Sequence, residues 1–530
     1  MNGIENTTQA GFFSPLIRLG ARSERSIARH ERLYLLLGVG VFTLFAAIHA
    51  CIFPLWFDEL FTLFISRLSS LPDMLRAMPA DGQPPMSYLV TRLSLRLFGE
   101  SELAIRLPEL LAYMAAGSLT YKIARRHGTP IQALFALALL LGAVMGIQQA
   151  YTARPYGLLI TFTALMFASW QAAALRQHRR FLPLCGVALG ISGAILSHHF
   201  GVMHVGLPLA AGETARLIRR RRIDGWMITA IAAGLSPLAL TMPMMRQSRL
   251  QLGNAILNST VFWAKPSITD LLTYWEFAAH LLLCIVAILA ILFWLGRSAA
   301  SPSTAPLPVP VHEWAAVAAL SLLLPVQLSL ASFQTGYFLP RYAVSTSLGL
   351  ALLLGWALPR LRLGGVRLFP QPVLALGAIC FLLLVATSLL LSLSFEPPWH
   401  AQPGAKAVSP LLRDAPPGLP IVVASSFDFA PEWWYSPPYL QQRLIYLTDT
   451  HYALQQPNFL GDLSLKEDQA YIPLPTADYA AFIGAHPHFL LLCTREPQFN
   501  WVPSRLTNSG WRLTPIARNG TDVLYQVDRP

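Results

Sequence analysis

Apolar residues run in blocks of about twenty through most of the first 395 positions. A helix needs roughly 20 mostly apolar residues to cross a bilayer. About eleven segments fit: 33–55, 103–123, 130–148, 155–175, 181–198, 200–217, 225–244, 274–296, 313–332, 341–359 and 371–394. Basic residues collect at alternate junctions. Arg18, Arg22, Arg25, Arg29 and Arg32 precede the first segment. Lys122, Arg125 and Arg126 follow the second, and Arg176, Arg179 and Arg180 the fourth. Arg216 and Arg219 to Arg222 follow the sixth, Arg297 the eighth, and Arg360, Arg362 and Arg367 the tenth. With a cytoplasmic N-terminus and eleven spans, every strip falls on one side, as the positive-inside rule requires. The pattern predicts an all-α polytopic membrane protein. It divides into a basic tail (1–32), a transmembrane domain (33–395) and an extracytoplasmic segment (396–530).

The other junctions are outer connections: 56–102, Gln148 to Arg154, His198-His199, 245–273, and the short loop before Arg341. The first is expected to hold two short helices along the membrane surface. In the second of these, Tyr88, Leu89, Leu93, Leu95, Leu97 and Phe98 interleave with Arg92 and Arg96, which suits an interface. The C-terminal segment reads differently. Ile421 to Val423, Leu444 to Leu447, Phe489 to Leu492 and Val523 to Val527 are strand candidates. They predict a small extracytoplasmic α/β domain.

Composition narrows the class. Only 12% of residues are charged, 54% are hydrophobic and the mean hydropathy is +0.47. A soluble domain carries about 25% charged residues, so an ordinary soluble enzyme is excluded. The net charge of +12 resides in the junction strips, so topology accounts for it and no nucleic-acid partner is implied. The five cysteines share no CxxC spacing, which points to neither a disulfide framework nor a zinc ribbon. The first 32 residues lack the apolar core and cleavage site of a signal peptide. That suits a bacterial inner membrane.

Trp56-Phe57-Asp58-Glu59 follows the first apolar segment directly. Carboxylates at the hydrocarbon boundary cost energy unless they are solvated, paired or used. Used, Asp58 can act as general base on an acceptor hydroxyl, with Glu59 orienting it or the acceptor. Unused, both simply face water. Arg341 and Arg154 each open a later span. Guanidinium groups there either hold a phosphate through their planar fork or snorkel to the interface. His198-His199 lacks the i, i+4 spacing of a helical metal pair, and reads as a polar cap or a donor to substrate. Trp433-Trp434-Tyr435 either stacks on sugar or packs the C-terminal domain, and packing is the preferred reading.

The ordered set Asp58-Glu59, Asp81-Gly82-Gln83-Pro84-Pro85, Leu97-Phe98-Gly99, Arg106-Leu107-Pro108, Ala153-Arg154-Pro155-Tyr156 and Pro340-Arg341-Tyr342 carries a family resemblance. It is similar to the GT-C integral-membrane glycosyltransferases of the protein O-mannosyltransferase and aminoarabinose-transferase branch (glycosyltransferase family 39-like). The resemblance covers about 1–360 and is strongest over 56–160. It implies a GT-C fold, a polyprenyl-phosphate sugar donor and transfer at the outer face to a lipid, glycan or protein acceptor. Asp58 and Glu59 would be catalytic. Arg341, Arg154, Tyr342, Tyr156, His198, His199 and Asp81 would bind donor phosphate or substrate. One departure stands out: members often carry an acid where this chain has Thr152. A divalent metal is therefore possible but not required, no metal ligand is assigned, and Asp81 is a candidate substitute. The competing readings are a non-catalytic polyprenyl-phosphate binder and a lipid flippase or transporter. The latter would show inverted repeats and mid-membrane charges, neither of which is evident.

Overall fold

The computed structural model describes residues 14–530 apart from 177, 245, 247–255, 257–263, 296–306, 364–365, 393–407, 456–458 and 495–499. Most of the 245–273 connection and the boundary near 396 lie outside the described residues. A helix stands at each of the eleven apolar segments. Among the described residues, four helices are individually long and apolar enough to cross a membrane, or up to seven when bent pairs are each taken as one span.

After α1 (Ser14–Arg29) and α2 (Glu31–Ile52) come α3 (Phe57–Arg67), α4 (Leu71–Asp81) and α5 (Pro85–Phe98). The first outer connection thus holds three helices, not two. The extra one, α4, has strong local signals. The Ser70 hydroxyl accepts the Asp73 N–H at 3.1 Å, Pro72 lies in the first turn, and Gly82 ends the helix at φ 69°. Those are the residues favoured at the two ends of a helix.

The bundle continues through α6 (Glu102–Arg125), α7 (Pro130–Leu141), α8 (Val144–Ala150), α9 (Tyr156–Leu175), α10 (Phe181–Ser197), α11 (Gly201–Arg220) and α12 (Gly225–Leu235). It closes with α13 (Thr273–Phe277), α14 (His280–Leu295), α15 (Val311–Ser321), α16 (Leu323–Gln334), α17 (Thr346–Ala357) and α18 (Gln371–Ser392). The third predicted span is broken: α7 and α8 meet at 71°. Gly142 sits at this bend, and a Cβ there would lie 1.7 Å from Cε1 of Phe381. Gly142→Ala is therefore expected to cost about 1–3 kcal/mol by overpacking, read as a lowered Tm of the detergent-solubilised protein. An unchanged Tm would show that the Phe381 ring yields freely.

Several of the basic junctions are held by ion pairs and hydrogen bonds to other helices. Arg125 pairs with Glu31 at 2.8 Å, and Arg360 donates to the His127 carbonyl at 3.3 Å. His127 and Gln171 both bond the buried Glu313, at 3.0 and 2.5 Å. Arg180 pairs with Asp224 at 2.5 Å.

The C-terminal segment forms a six-stranded sheet. Its strands are β1 (Ile421–Val423), β2 (Leu444–Thr448), β3 (Thr476–Asp478), β4 (His488–Cys493), β5 (Arg512–Asn519) and β6 (Asp522–Asp528), in the order β3-β2-β1-β4-β6-β5. The pairs β1–β2, β1–β4 and β2–β3 are parallel, while β6 runs antiparallel to β4 and β5. Ile421 and Val423 face one core and Val422 the other, the two-sided burial expected of central parallel strands. The first of these cores also contains Leu60, Phe61 and Phe64 of α3. The sheet and the helix that begins at Phe57 therefore share one hydrophobic core.

Candidate functional site

Phe57 opens α3, so Asp58 and Glu59 both lie in its first turn. Neighbouring positions on a helix point about 100° apart, and the two carboxylates have opposite fates. Glu59 is fully buried. Its Oε1 accepts Arg106 Nε at 2.7 Å and the Ala153 N–H at 2.7 Å. Its Oε2 accepts Arg106 Nη2 at 2.6 Å and the Trp56 N–H at 3.3 Å. The rest of the Arg106 fork serves the end of α2, donating to the carbonyls of Ala50 (3.0 Å), Phe53 (2.7 Å) and Pro54 (2.9 Å). Helix C-termini leave such carbonyls without partners. Glu59 therefore does not reach an acceptor. Its carboxylate is spent on joining α2, α3, α6 and the turn at Ala153, and it bears on Asp58 only through the backbone.

That turn is fixed a second time. Glu109, one helical turn beyond Arg106 on α6, accepts the Leu158 N–H at 2.9 Å near the start of α9. Held between Glu59 and Glu109, the turn projects Arg154. Its Nη1 donates to Asp81 Oδ1 and Oδ2 at 3.1 and 3.0 Å and to the Asp58 carbonyl at 3.2 Å. Its Nε stands 3.8 Å from Asp58 Oδ2. Arg154 is thus engaged by two acids, while its Nε is left without a hydrogen-bond partner. Asp81 also accepts the Tyr88 hydroxyl. Burial pushes the Asp81 carboxyl above its usual range, against the pull of Arg154.

Asp58 retains 18% side-chain exposure, and its Oδ2 lies 3.5 Å from Arg341 Nη2. The Arg341 guanidinium sits over the rings of Trp56 at 5.7 Å and Tyr156 at 6.0 Å. Beside it, His198 packs against Tyr156 (5.5 Å), Phe200 (5.8 Å) and Tyr342 (5.4 Å). His198 Nδ1 accepts the Phe200 N–H at 3.1 Å. In the neutral ring the hydrogen then sits on Nε2. His198 Nε2, Arg154 Nε and Arg341 Nε are buried without hydrogen-bond partners. Buried donors of this kind are normally satisfied, and two of these three belong to the guanidinium groups beside the Asp58 carboxylate. His199 faces the Gly82 backbone, next to Asp81.

The structure thus brings Asp58, Asp81, Arg154, Tyr156, His198, His199, Arg341 and Tyr342 into one cluster and withholds Glu59 from it. Sequence reasoning missed the parts played by Arg106 and Glu109. Two ionisable residues three apart in an apolar helix were the available signal. Tyr435, expected to pack, also hydrogen-bonds: its hydroxyl accepts the Leu55 N–H at 2.7 Å and donates to Glu102 at 3.3 Å. Trp433 and Trp434 pack edge-on against Phe64 at 6.4 and 5.6 Å, so this trio docks the sheet on α3. Among the described residues, no three His, Cys, Asp or Glu side chains are grouped as metal ligands. A separate, mainly apolar cavity of about 270 Å³ lies among Gly142, Ile147, Tyr151, Phe381, Leu384 and Leu389.

The fold is of the GT-C type. Residues 82–211 match the family model for dolichyl-phosphate-mannose-protein mannosyltransferase. The fold is similar to the crystal structure of ArnT from Cupriavidus metallidurans in the apo state. The TM-score is 0.56 at 14% identity, over 93% of this chain and 97% of that one. It is similar also to ArnT from the same organism bound to undecaprenyl phosphate, with a TM-score of 0.55 at 15% identity over the same shares. No curated protein matches the sequence.

Proposed function

We propose that the protein is a membrane glycosyltransferase that moves a sugar from a polyprenyl-phosphate donor to an acceptor hydroxyl at the outer face, with inversion. The observation that carries this reading is the approach of Asp58 to Arg341, 3.5 Å apart with both side chains partly exposed. A base and an anion holder are the two groups such a transfer needs. The acceptor oxygen attacks the anomeric carbon and gives its proton to Asp58. The bond from that carbon to the phosphate oxygen breaks on the opposite side, and the electron pair leaves on the polyprenyl phosphate. Arg341 meets the charge that develops there, and His198 Nε2–H offers a neutral hydrogen bond beside it. Asp81 holds Arg154, and Arg154 holds Asp58. The undecaprenyl phosphate in the ArnT structure supports the donor class, and the apolar cavity next to Tyr151 suits part of an isoprenoid tail.

In this reading the eleven apolar segments are crossings, the N-terminus is cytoplasmic, and 396–530 lies outside a bacterial inner membrane. The acceptor is a lipid, glycan or protein that approaches beneath the C-terminal sheet.

Membranes containing the protein, supplied with a panel of polyprenyl-phosphate sugars, should transfer one of them. No transfer from any of them would favour the non-catalytic binder or the flippase. Arg341→Gln removes the cation while keeping a polar side chain. Losing one such partner costs about 2.7–4 kcal/mol of transition-state stabilisation, so turnover should fall at least about a hundredfold with little change in Tm. A variant with near-normal turnover would reduce Arg341 to an interfacial charge.

A further inference from the structure

We propose that His204 is a positioning residue that sets Arg341 opposite Asp58; this rests on the glycosyltransferase reading. His204 lies in the first turn of α11 and is fully buried. Its Nε2 is 2.8 Å from the Tyr342 carbonyl and its Nδ1 is 2.6 Å from the Ser345 hydroxyl. A carbonyl only accepts, so Nε2 carries the hydrogen. In the neutral ring Nδ1 then accepts from Ser345. Ser345 in turn lies 3.4 Å from the Thr163 hydroxyl on α9, which donates to the Leu159 carbonyl at 2.7 Å. Both ring nitrogens are occupied and the side chain is fully buried, so His204 does not touch substrate.

What it holds is a weak element in a critical place. Residues Pro340–Ala343 form a single 3₁₀ turn, a conformation with poor hydrogen-bond geometry that rarely extends far. Proline supplies no N–H at its start. The bond from His204 fixes the plane of the peptide that follows Tyr342. Arg341 is the residue before it, and the Tyr342 ring stacks against His198 and Phe200 at 5.4 and 5.6 Å. One imidazole therefore sets both the cation opposite Asp58 and the aromatic wall around His198. Geometry matters here, because a misplacement of about 1 Å can cost about a hundredfold in rate.

The test is a double-mutant cycle on the full-length protein in nanodiscs. His204→Leu should lower turnover at least about tenfold and raise the donor KM. His204→Gln keeps an N–H able to reach the Tyr342 carbonyl and should restore most of the loss. In an Arg341→Gln background, His204→Leu should lower turnover clearly less than in the wild type, because the cation it positions is gone and only its hold on the Tyr342 ring is left to lose. Equal losses in both backgrounds, or a lower Tm with normal turnover, would overturn the proposal. If His204→Leu does not fold, Ser345→Ala takes its place in the same cycle with the same criteria. Undecaprenyl phosphate binding, followed by thermal shift, separates the two layers of inference. Wild-type protein that transfers no sugar refutes the glycosyltransferase reading, and with it this proposal; lipid binding without transfer then identifies a non-catalytic binder. Wild-type protein that transfers sugar, with His204 and Arg341 acting independently, refutes only the role of His204.

Discussion

Asp58→Asn should lower sugar transfer by about a hundredfold to ten-thousandfold, the range a positioned general base contributes, and leave the Tm near that of the wild type. The two halves of that expectation have separate grounds. The Asp58 side chain makes only long contacts, 3.5 Å to Arg341 and 3.8 Å to Arg154. The shorter tie from Arg154 goes to its backbone carbonyl, which asparagine keeps. The carboxylate itself is what changes, because an amide does not accept a proton from a hydroxyl at neutral pH. A rival role predicts something different. If Asp58 served only to neutralise the two arginines, its removal would leave them freer to hold phosphate. The donor KM would then fall and kcat would hardly move. Steady-state transfer measured against donor concentration separates the two, and a kcat within about threefold of wild type would remove Asp58 from the chemistry.

Much of the architecture was legible because it is written locally. Twenty-residue apolar blocks are helical in any bilayer-embedded fold. Short runs such as Ile421 to Val423 and Leu490 to Leu492 are recognisable as central strands by their β-branched and aliphatic content. The bends were harder to see. Nothing in the apolar run 130–148 marks its kink apart from Gly142, whose need for space comes from Phe381, more than two hundred positions away. The members of the site were visible as an ordered motif set, but their division of labour was not. Asp58 and Arg341 are 283 positions apart, and only the packed bundle makes them neighbours. The separation of Asp58 from Glu59 was within reach of helical geometry, since successive residues cannot face the same way. Which of the two turned inward depended on Arg106, a partner 47 positions on. The engagement of Arg154 was not visible because its two acids, at 58 and 81, looked like separate features. Tyr435 joins its hydroxyl to Leu55 across 380 positions, and no local pattern announces it.

The second large effect is on folding and not on chemistry. Arg106→Met should destabilise the protein by about 3–5 kcal/mol, the cost of removing one partner from a buried ion pair. It would appear as a sharp loss of extractable protein or a markedly lower Tm. The change strands a carboxylate with no exposed surface and deprives the carbonyls of Ala50, Phe53 and Pro54 of their donors. Arg106→Lys should not rescue it, because an ammonium cannot reproduce a planar fork shared between Glu59 and three carbonyls. Glu59→Gln should be milder. It leaves the guanidinium with its three carbonyl acceptors and an amide oxygen in place of one carboxylate oxygen. The double variant Glu59→Gln with Arg106→Met should then cost clearly less than the sum of the single changes, since the stranded charge is gone. Additive losses, with Arg106→Met no worse than Glu59→Gln, would mean that the pair is solvated in the native protein. In that case Glu59 would return as a group able to face the substrate beside Asp58.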